Sequence, residues 1–109
     1  MADNLKPIVV KIAGKDPYER LLVPGKDTVK MKSGCVTLSP GAYVGEHNTD
    51  EKEETLFILS GEAEIICEGR GIKAVEGDLF YVPPHTRHDV KNTGKDILRY
   101  IFLVVPVLA

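Results

Sequence analysis

The sequence lacks the features that direct a chain to a membrane or to nucleic acid. Its most apolar stretch, residues 100–109, is much shorter than the ~20 residues that a membrane-spanning helix needs. The N-terminal segment MADNLKPIVVK has no long apolar part and no cleavage-site pattern, so we expect a cytoplasmic protein without a membrane partner. The formal net charge is −2 and acidic residues cluster at positions 50–54, so we expect no nucleic-acid partner.

Cysteine and helical periodicity are also scarce. Cys35 and Cys67 lie within apolar segments and form no CxxC pair, which predicts buried free thiols in a reducing compartment, with a disulfide as the alternative. No segment carries a capped helical pattern over several turns. Residues 16–22 could form a single helical turn, because Pro17 suits a first helical position.

The sequence instead contains short apolar or alternating segments, separated by turn-forming pairs of proline, glycine, asparagine and serine. This rhythm predicts an all-β sandwich or barrel of roughly ten strands. A chain of 109 residues is expected to be one domain, residues 1–109. The predicted strands lie near residues 8–12, 20–23, 28–38, 56–59, 63–67, 72–75, 79–82, 88–91 and 97–105.

The apolar segment at residues 100–105 has no polar face. A strand with one face in water should alternate between apolar and polar residues, so this one needs cover on both sides. A second copy of the chain could supply the cover, and so could an additional layer of the same chain. We favour a homodimer.

Residues 41–61 read GAYVGEHNTDEKEETLFILSG and combine a histidine with a carboxylate. Side chains alternate across a strand, so His47 and Thr49 are predicted to share one face. Glu54 has the same parity as the apolar residues that follow it, which would place it inside the barrel. A buried carboxylate has to be paired, protonated or bound to a metal. At a solvent-exposed strand end it keeps its hydration and has no desolvation cost. Both positions remain open for Glu54.

Residues 77–92 hold the other two histidines, His85 and His88. The three histidines of the chain thus fall in two separate segments, one of which also supplies Glu54. Imidazole and carboxylate together suit Zn, Mn, Fe or Ni, so a divalent transition metal is the expected cofactor.

The two segments resemble the paired motifs of the cupin superfamily. Residues 41–61 match Gly-(x)5-His-x-His-(x)3–4-Glu-(x)6-Gly at every spacing, with Thr49 in place of the second histidine. Residues 77–92 match Gly-(x)5-Pro-x-Gly-(x)2-His-(x)3-Asn, with His85 in place of the internal glycine. The resemblance implies a single-domain cupin, which is a double-stranded β-helix or jelly-roll barrel.

The resemblance also implies a site. His47, Glu54 and His88 take the metal-ligand positions of the family, and Thr49 takes the usual fourth position. Because a hydroxyl is a weak ligand, Thr49 either frees a position for substrate or marks a site of reduced affinity, and histidine there should tighten metal binding. His85, expected at the mouth of the barrel, and Tyr43 are candidate proton-handling groups.

The superfamily hosts many functions, so the resemblance leaves three open. The first is a metal-dependent enzyme acting on a small polar molecule, with isomerase or dioxygenase chemistry. The second is a non-catalytic module that binds a sugar or another small molecule in the barrel, or senses it, with a degenerate metal site. The third is a scaffold in which a metal only ties strands together. Small cupins of this kind are often described as mannose-6-phosphate isomerase-like, but the sequence has no arginine cluster or phosphate-binding loop.

Overall fold

The computed structural model describes residues 5–107, and this part of the chain forms nine β-strands. The all-β prediction is confirmed, and nothing in residues 5–107 is a helix with the length and apolar character that a membrane crossing requires. The strands are β1 (Tyr18–Leu22), β2 (Lys32–Leu38), β3 (His47–Asn48), β4 (Lys52–Ser60), β5 (Glu62–Cys67), β6 (Arg70–Val75), β7 (Leu79–Val82), β8 (Arg87–Lys91) and β9 (Leu98–Pro106).

Two antiparallel sheets enclose the core. One has the strand order β1-β2-β9-β4-β7 and the other has the order β3-β8-β5-β6. Along β4 the buried side chains are Glu54, Leu56 and Ile58, which is the period of two that places alternate residues on the inner face. Glu54 therefore lies inside and not at a wet strand end. The core contains Val36, Leu38, Leu56, Ile58, Ala63, Ile65, Ala74, Val82, Val90, Leu98, Tyr100 and Phe102.

The apolar segment that has no polar face forms β9, and its central position in the sheet accounts for part of its apolar character. It lies between β2 and β4 in the five-stranded sheet. Its inward residues Leu98, Tyr100 and Phe102 are buried, and the alternate residues of its outer face are half-buried. A central strand has a neighbour on each side, so its outer residues are partly covered by the chain itself.

Three local predictions were wrong. Residues 8–12 form no strand, and all five are exposed. Residues 16–22 form no helical turn, because the segment Tyr18–Leu22 pairs with β2 as an edge strand, with Tyr18 opposite Val36. The strand predicted from residue 28 begins only at Lys32, since a turn in which the Asp27 carboxylate accepts the Val23 N–H precedes it.

Two glycines make room for neighbours that shape the barrel. A Cβ atom on Gly34 would lie 2.7 Å from the ring of Phe102, which stands directly opposite on β9. The Phe102 ring also stacks on Tyr18, with 5.9 Å between ring centroids, so the two aromatics form one wall of the interior. Gly61 joins β4 to β5 at a φ of 87°, and a Cβ there would meet the Ile97 carbonyl at 2.6 Å.

The two cysteines are free thiols, as predicted. Cys35 is fully buried on β2 and Cys67 is partly buried at the end of β5. Burial raises the pKa of both thiols, with the negative charge of Glu19 adding to the effect at Cys35 and that of Glu68 at Cys67. Both thiols therefore stay protonated at neutral pH and behave as small apolar side chains.

Candidate metal centre

Three strands bring His47, Glu54 and His88 together. His47 on β3 stands directly opposite His88 on β8, and their ring centroids are 4.1 Å apart. Glu54 reaches the same point from β4 in the other sheet. One ligand atom from each of the three residues lies within 4.8 Å of the other two. The cluster therefore spans both sheets, with His88 and Glu54 buried and His47 exposed.

Both imidazoles are oriented by a carbonyl two residues earlier in the chain. Nδ1 of His47 lies 2.9 Å from the Gly45 oxygen, and Nδ1 of His88 lies 3.1 Å from the Thr86 oxygen. A carbonyl oxygen only accepts hydrogen bonds, so Nδ1 carries the proton in each ring. This leaves Nε2 as the nitrogen that can bind a metal, which is the usual arrangement for a metal-binding histidine.

His88 and Glu54 form a buried pair. Nε2 of His88 lies 3.1 Å from Oε1 of Glu54. Burial on its own would lower the pKa of His88, but the hydrogen bonds to Glu54 and to the Thr86 carbonyl, with the charges of Glu54 and Asp89, outweigh it and raise the pKa. A proton and a metal would thus compete for the same nitrogen.

The residues present fit a divalent transition metal. Two imidazole nitrogens and one carboxylate are the donors that Zn, Mn, Fe and Ni accept in proteins, and three protein ligands leave positions open. In residues 5–107 every fully buried side-chain nitrogen or oxygen has a hydrogen-bond partner. The two buried members of the cluster, Glu54 and His88, are therefore satisfied without an ion by the hydrogen bond between them, which an ion would replace.

Thr49 lies at the cavity, but its hydroxyl is engaged elsewhere. It donates to the Pro83 carbonyl at 2.7 Å and accepts from the Thr86 N–H at 3.0 Å. Strand β3 ends at Asn48, so Thr49 does not share a strand face with His47 as the alternation predicted. Thr86 also provides the carbonyl that receives Nδ1–H of His88, so the hydroxyl of Thr49 holds the residue that orients this imidazole.

The two candidate proton-handling groups lie away from the cluster. His85 is exposed in the turn before β8, at a φ of 54°. Its backbone N–H donates a hydrogen bond to the Asp50 carbonyl. Tyr43 is 64% exposed. Neither side chain lines the cavity described next.

A cavity of about 770 Å³ opens beside the cluster. Tyr18, Val36, Val90, Phe102 and Val104 supply apolar walls, and His47, Glu54 and His88 line the same space. The interior of the barrel can therefore hold a small molecule in contact with the three candidate ligands.

Tyr100 is a cavity residue that the sequence reasoning missed. It is buried on β9 and faces the same space. Burial, followed by the negative charges of Glu54 and Asp89, raises the pKa of its phenol. The hydroxyl thus keeps its proton at neutral pH and can donate a hydrogen bond to a ligand. Its parity with Leu98 and Phe102 was the signal that placed it inside.

Three lysines were also missed. Lys30, Lys32 and Lys52 line the cavity together with the metal-binding candidates. For Lys52 the signal was again parity, since it precedes Glu54 by two residues and so lies on the same face of β4.

The comparison with known families agrees with the motif resemblance. The family model described as a Cupin domain matches residues 34–105. The oxalate-binding protein of Thermotoga maritima is 28% identical over 95 residues, which cover 84% of this chain and 78% of that protein. Polyketide synthase CurC of Streptomyces cyaneus is 26% identical over 115 residues, which cover 96% of this chain and 73% of that protein.

Solved structures confirm the architecture. The crystal structure of an RmlC-like cupin family protein with a double-stranded β-helix fold, from Methanocaldococcus jannaschii, matches with a TM-score of 0.78. Sequence identity is 22%, and the match covers 92% of this chain and 91% of that one. The likeness concerns the fold alone and confirms the predicted double-stranded β-helix. The mannose-6-phosphate isomerase-like subtype stays a prediction.

Proposed function

This chain belongs to the cupin family, and we propose that it binds a divalent transition metal through His47, Glu54 and His88 and holds a small polar molecule beside it. The observation that carries the proposal is the convergence of three donor atoms within 4.8 Å at the wall of a cavity of about 770 Å³. Zn, Mn, Fe and Ni all suit this donor set.

Each residue has a defined part in this proposal. His47 and His88 present Nε2, because their Nδ1 protons are held by carbonyls, and Glu54 contributes the carboxylate. Tyr100 donates a hydrogen bond to the ligand from the cavity wall. The metal, when bound, would supply a Lewis acid or an oxygen-binding centre with open positions, which suits isomerase or dioxygenase chemistry.

A non-catalytic small-molecule or sugar-binding module, or a sensor, is the second candidate. Its support is the placement of His85 and Tyr43 outside the cavity lining, together with the raised pKa of Tyr100. Apart from the cluster itself, the cavity thus offers groups that bind a ligand and few that exchange protons at neutral pH. The name of the oxalate-binding relative also favours binding without turnover.

Metal titration tests the proposal. The protein is purified without chelator or affinity-tag nickel, its metal content is measured, and the metal-free form is titrated with Zn and Mn by calorimetry. We expect one ion per chain. His88→Ala or Glu54→Ala should weaken binding by at least the ~10–100-fold seen for changes in residues around metal ligands, because a direct ligand is lost.

His85→Ala is the matched control, since this histidine is exposed and lies outside the cavity lining. It should bind metal like the wild type. A wild-type protein that binds neither ion, or variants of His88 and Glu54 that bind as tightly as the wild type, would contradict the proposal.

A further inference from the structure

We propose that the cavity selects a small dicarboxylate, held at one end by Lys30, Lys32 and Lys52 and at the other by the metal cluster. These three lysines are called the lysine rim. The contact with the metal cluster rests on the proposed function, whereas the contact with the lysine rim depends only on the lysines. The three lysines come from two parts of the chain, residues 30–32 and residue 52, and line one cavity.

The cavity has the opposite charge to the protein as a whole. The chain carries 16 acidic and 14 basic residues, for a net charge of −2. The cavity lining contains the three lysines, and Glu54 is its one acidic residue among residues 5–107. Like charges grouped at a concave, partly apolar surface focus the electrostatic potential and attract ligands of opposite sign.

The strand register gives the geometry of the rim. Lys32 on β2 and Glu54 on β4 both stand opposite Val104 on β9, one on each side. They share one row across the sheet, two strand spacings or ~10 Å apart between backbones. Lys52 pairs with Pro106, two residues further toward the open end. Both lysines therefore project inward from strand ends, and Lys30 arrives from the turn before β2.

Within residues 5–107, no carboxylate forms an ion pair with a rim lysine. In residues 5–107 the ion pairs join Lys73 to Glu62 and His88 to Glu54, and none involves the rim. Glu53, next to Lys52, accepts a hydrogen bond from the Tyr81 hydroxyl at 2.7 Å, and both line a second pocket on the outer face of the sheet. No carboxylate of residues 5–107 thus neutralises the rim, whose positive charge can attract a ligand.

A dicarboxylate satisfies both ends of this arrangement. One carboxylate suits the open positions of a metal held by two imidazoles and one carboxylate, and the other suits the ammonium groups. The apolar walls between the ends, which include Val104 and Phe102, accommodate a short hydrocarbon spacer. A neutral analogue of the same shape would lack the attraction to the rim.

Titration with matched ligands tests the proposal. Malonate, succinate and the neutral compound malonamide are added to zinc-loaded and to zinc-free protein, and binding is measured by calorimetry. We expect the dicarboxylates to bind and malonamide to bind at least ~10-fold more weakly. Each of Lys30→Gln, Lys32→Gln and Lys52→Gln should weaken dicarboxylate binding ~2–5-fold, the range for exposed ion pairs, and the triple variant should weaken it more.

Lys73→Gln is the charge-matched control, because Lys73 lies on β6 and outside the cavity lining. It should bind dicarboxylates like the wild type, and all the lysine variants should keep the wild-type zinc affinity within a few-fold. Equal dicarboxylate binding by the wild type and the triple rim variant would overturn the proposal. So would inorganic phosphate that binds more tightly than either dicarboxylate through the same lysines.

The failure of this inference is distinguishable from that of the proposed function. A protein that binds zinc but no dicarboxylate overturns the dicarboxylate alone. A protein that binds dicarboxylates through the rim but binds no metal overturns the proposed function and leaves the lysine contact standing.

Discussion

Nε2 of His88 lies 3.1 Å from Oε1 of Glu54, and both side chains are buried. This contact joins the two sheets at the candidate metal centre, because His88 is on β8 and Glu54 is on β4. Without a metal the pair is held together by a proton on His88. With a metal both atoms would become ligands. The same two residues therefore link proton binding, metal binding and stability.

The first prediction concerns the pH dependence of the metal-free protein. The pKa of His88 is raised above its ordinary value of 6.5, so the folded state binds the proton more tightly than the unfolded state. The stabilisation is fully present below pH ~6.5 and is lost as pH rises through the raised pKa. We expect the Tm of the chelator-treated wild type to fall, relative to that of His88→Gln, between pH 6 and pH 8. Parallel Tm curves for the two proteins would contradict this.

Metal binding should show the opposite trend. Two imidazoles bind metal only when Nε2 is deprotonated, so protons displace the ion. We expect metal to be held at pH 7 to 8 and released through about pH 6 to 5. The raised pKa of His88 shifts the onset of release toward the upper end of that range. Equilibrium dialysis followed by metal analysis checks this, and equal metal content at pH 5 and pH 8 would exclude a histidine site.

Tyr100→Phe tests the donor on the cavity wall. The substitution removes the hydroxyl and keeps the buried ring, so the Tm should change little. Binding of an oxygen-containing ligand such as malonate should weaken ~2–10-fold, which corresponds to the loss of one hydrogen bond. Zinc affinity, measured in the same calorimetric series, should be unaltered. A variant with wild-type malonate affinity would show that the hydroxyl does not reach the ligand.

The sequence indicated the candidate metal cluster more fully than its surroundings. His47, Glu54 and His88 stand at motif spacings, and motif spacing is a local property of the chain. Tyr100 and Lys32 carry no such pattern. Their place at the cavity depends on which face of β9 and β2 is turned inward, and that is decided by pairing with strands distant in sequence.

Residues 8–12 show that local sequence can also predict a strand that does not form. Their apolar, β-branched composition suits a strand, yet a strand also needs a partner for its backbone groups, and composition does not reveal whether one is present. Thr49 was assigned to the face of His47 by assuming that alternation continues along the strand. Strand β3 ends at Asn48, so the alternation does not extend to Thr49.

We further propose that the chain forms a homodimer through the outer face of the five-stranded sheet. Ile101, Phe57 and Leu79 stand in one row across this face, with Tyr81 in the next row. Phe57, Leu79 and Tyr81 are 40%, 67% and 51% exposed, which is a large apolar area for an isolated chain. Light scattering should give twice the chain mass of 12.0 kDa.

Leu79→Glu should convert such a dimer to monomers. Ile72→Glu is the control, because Ile72 is 39% exposed on β6 in the other sheet. A wild type that remains monomeric at high concentration would contradict the dimer. Dissociation by both variants would place the interface elsewhere.

The last prediction concerns Thr49, whose hydroxyl contacts Pro83 and Thr86. Thr49→Val keeps the shape but removes the hydrogen bonds to the part-buried Pro83 carbonyl and Thr86 N–H, so the Tm should fall and Thr86, whose carbonyl orients His88, should be held less firmly. We expect zinc affinity to fall ~10-fold or more, as for other residues around metal ligands. Thr49→Ser, which keeps the hydroxyl, should retain most of the wild-type thermal stability and most of the zinc affinity.

Thr49→His separates the two roles of this position. An imidazole adds a metal donor, so zinc should bind more tightly than in the wild type. The same change removes the hydroxyl that holds Pro83 and Thr86, so the metal-free form should have a lower Tm. Thermal denaturation with and without zinc measures both effects, and the zinc-induced rise in Tm should be larger than in the wild type. If Thr49→Val keeps the wild-type zinc affinity, the hydroxyl supports the turn without orienting His88.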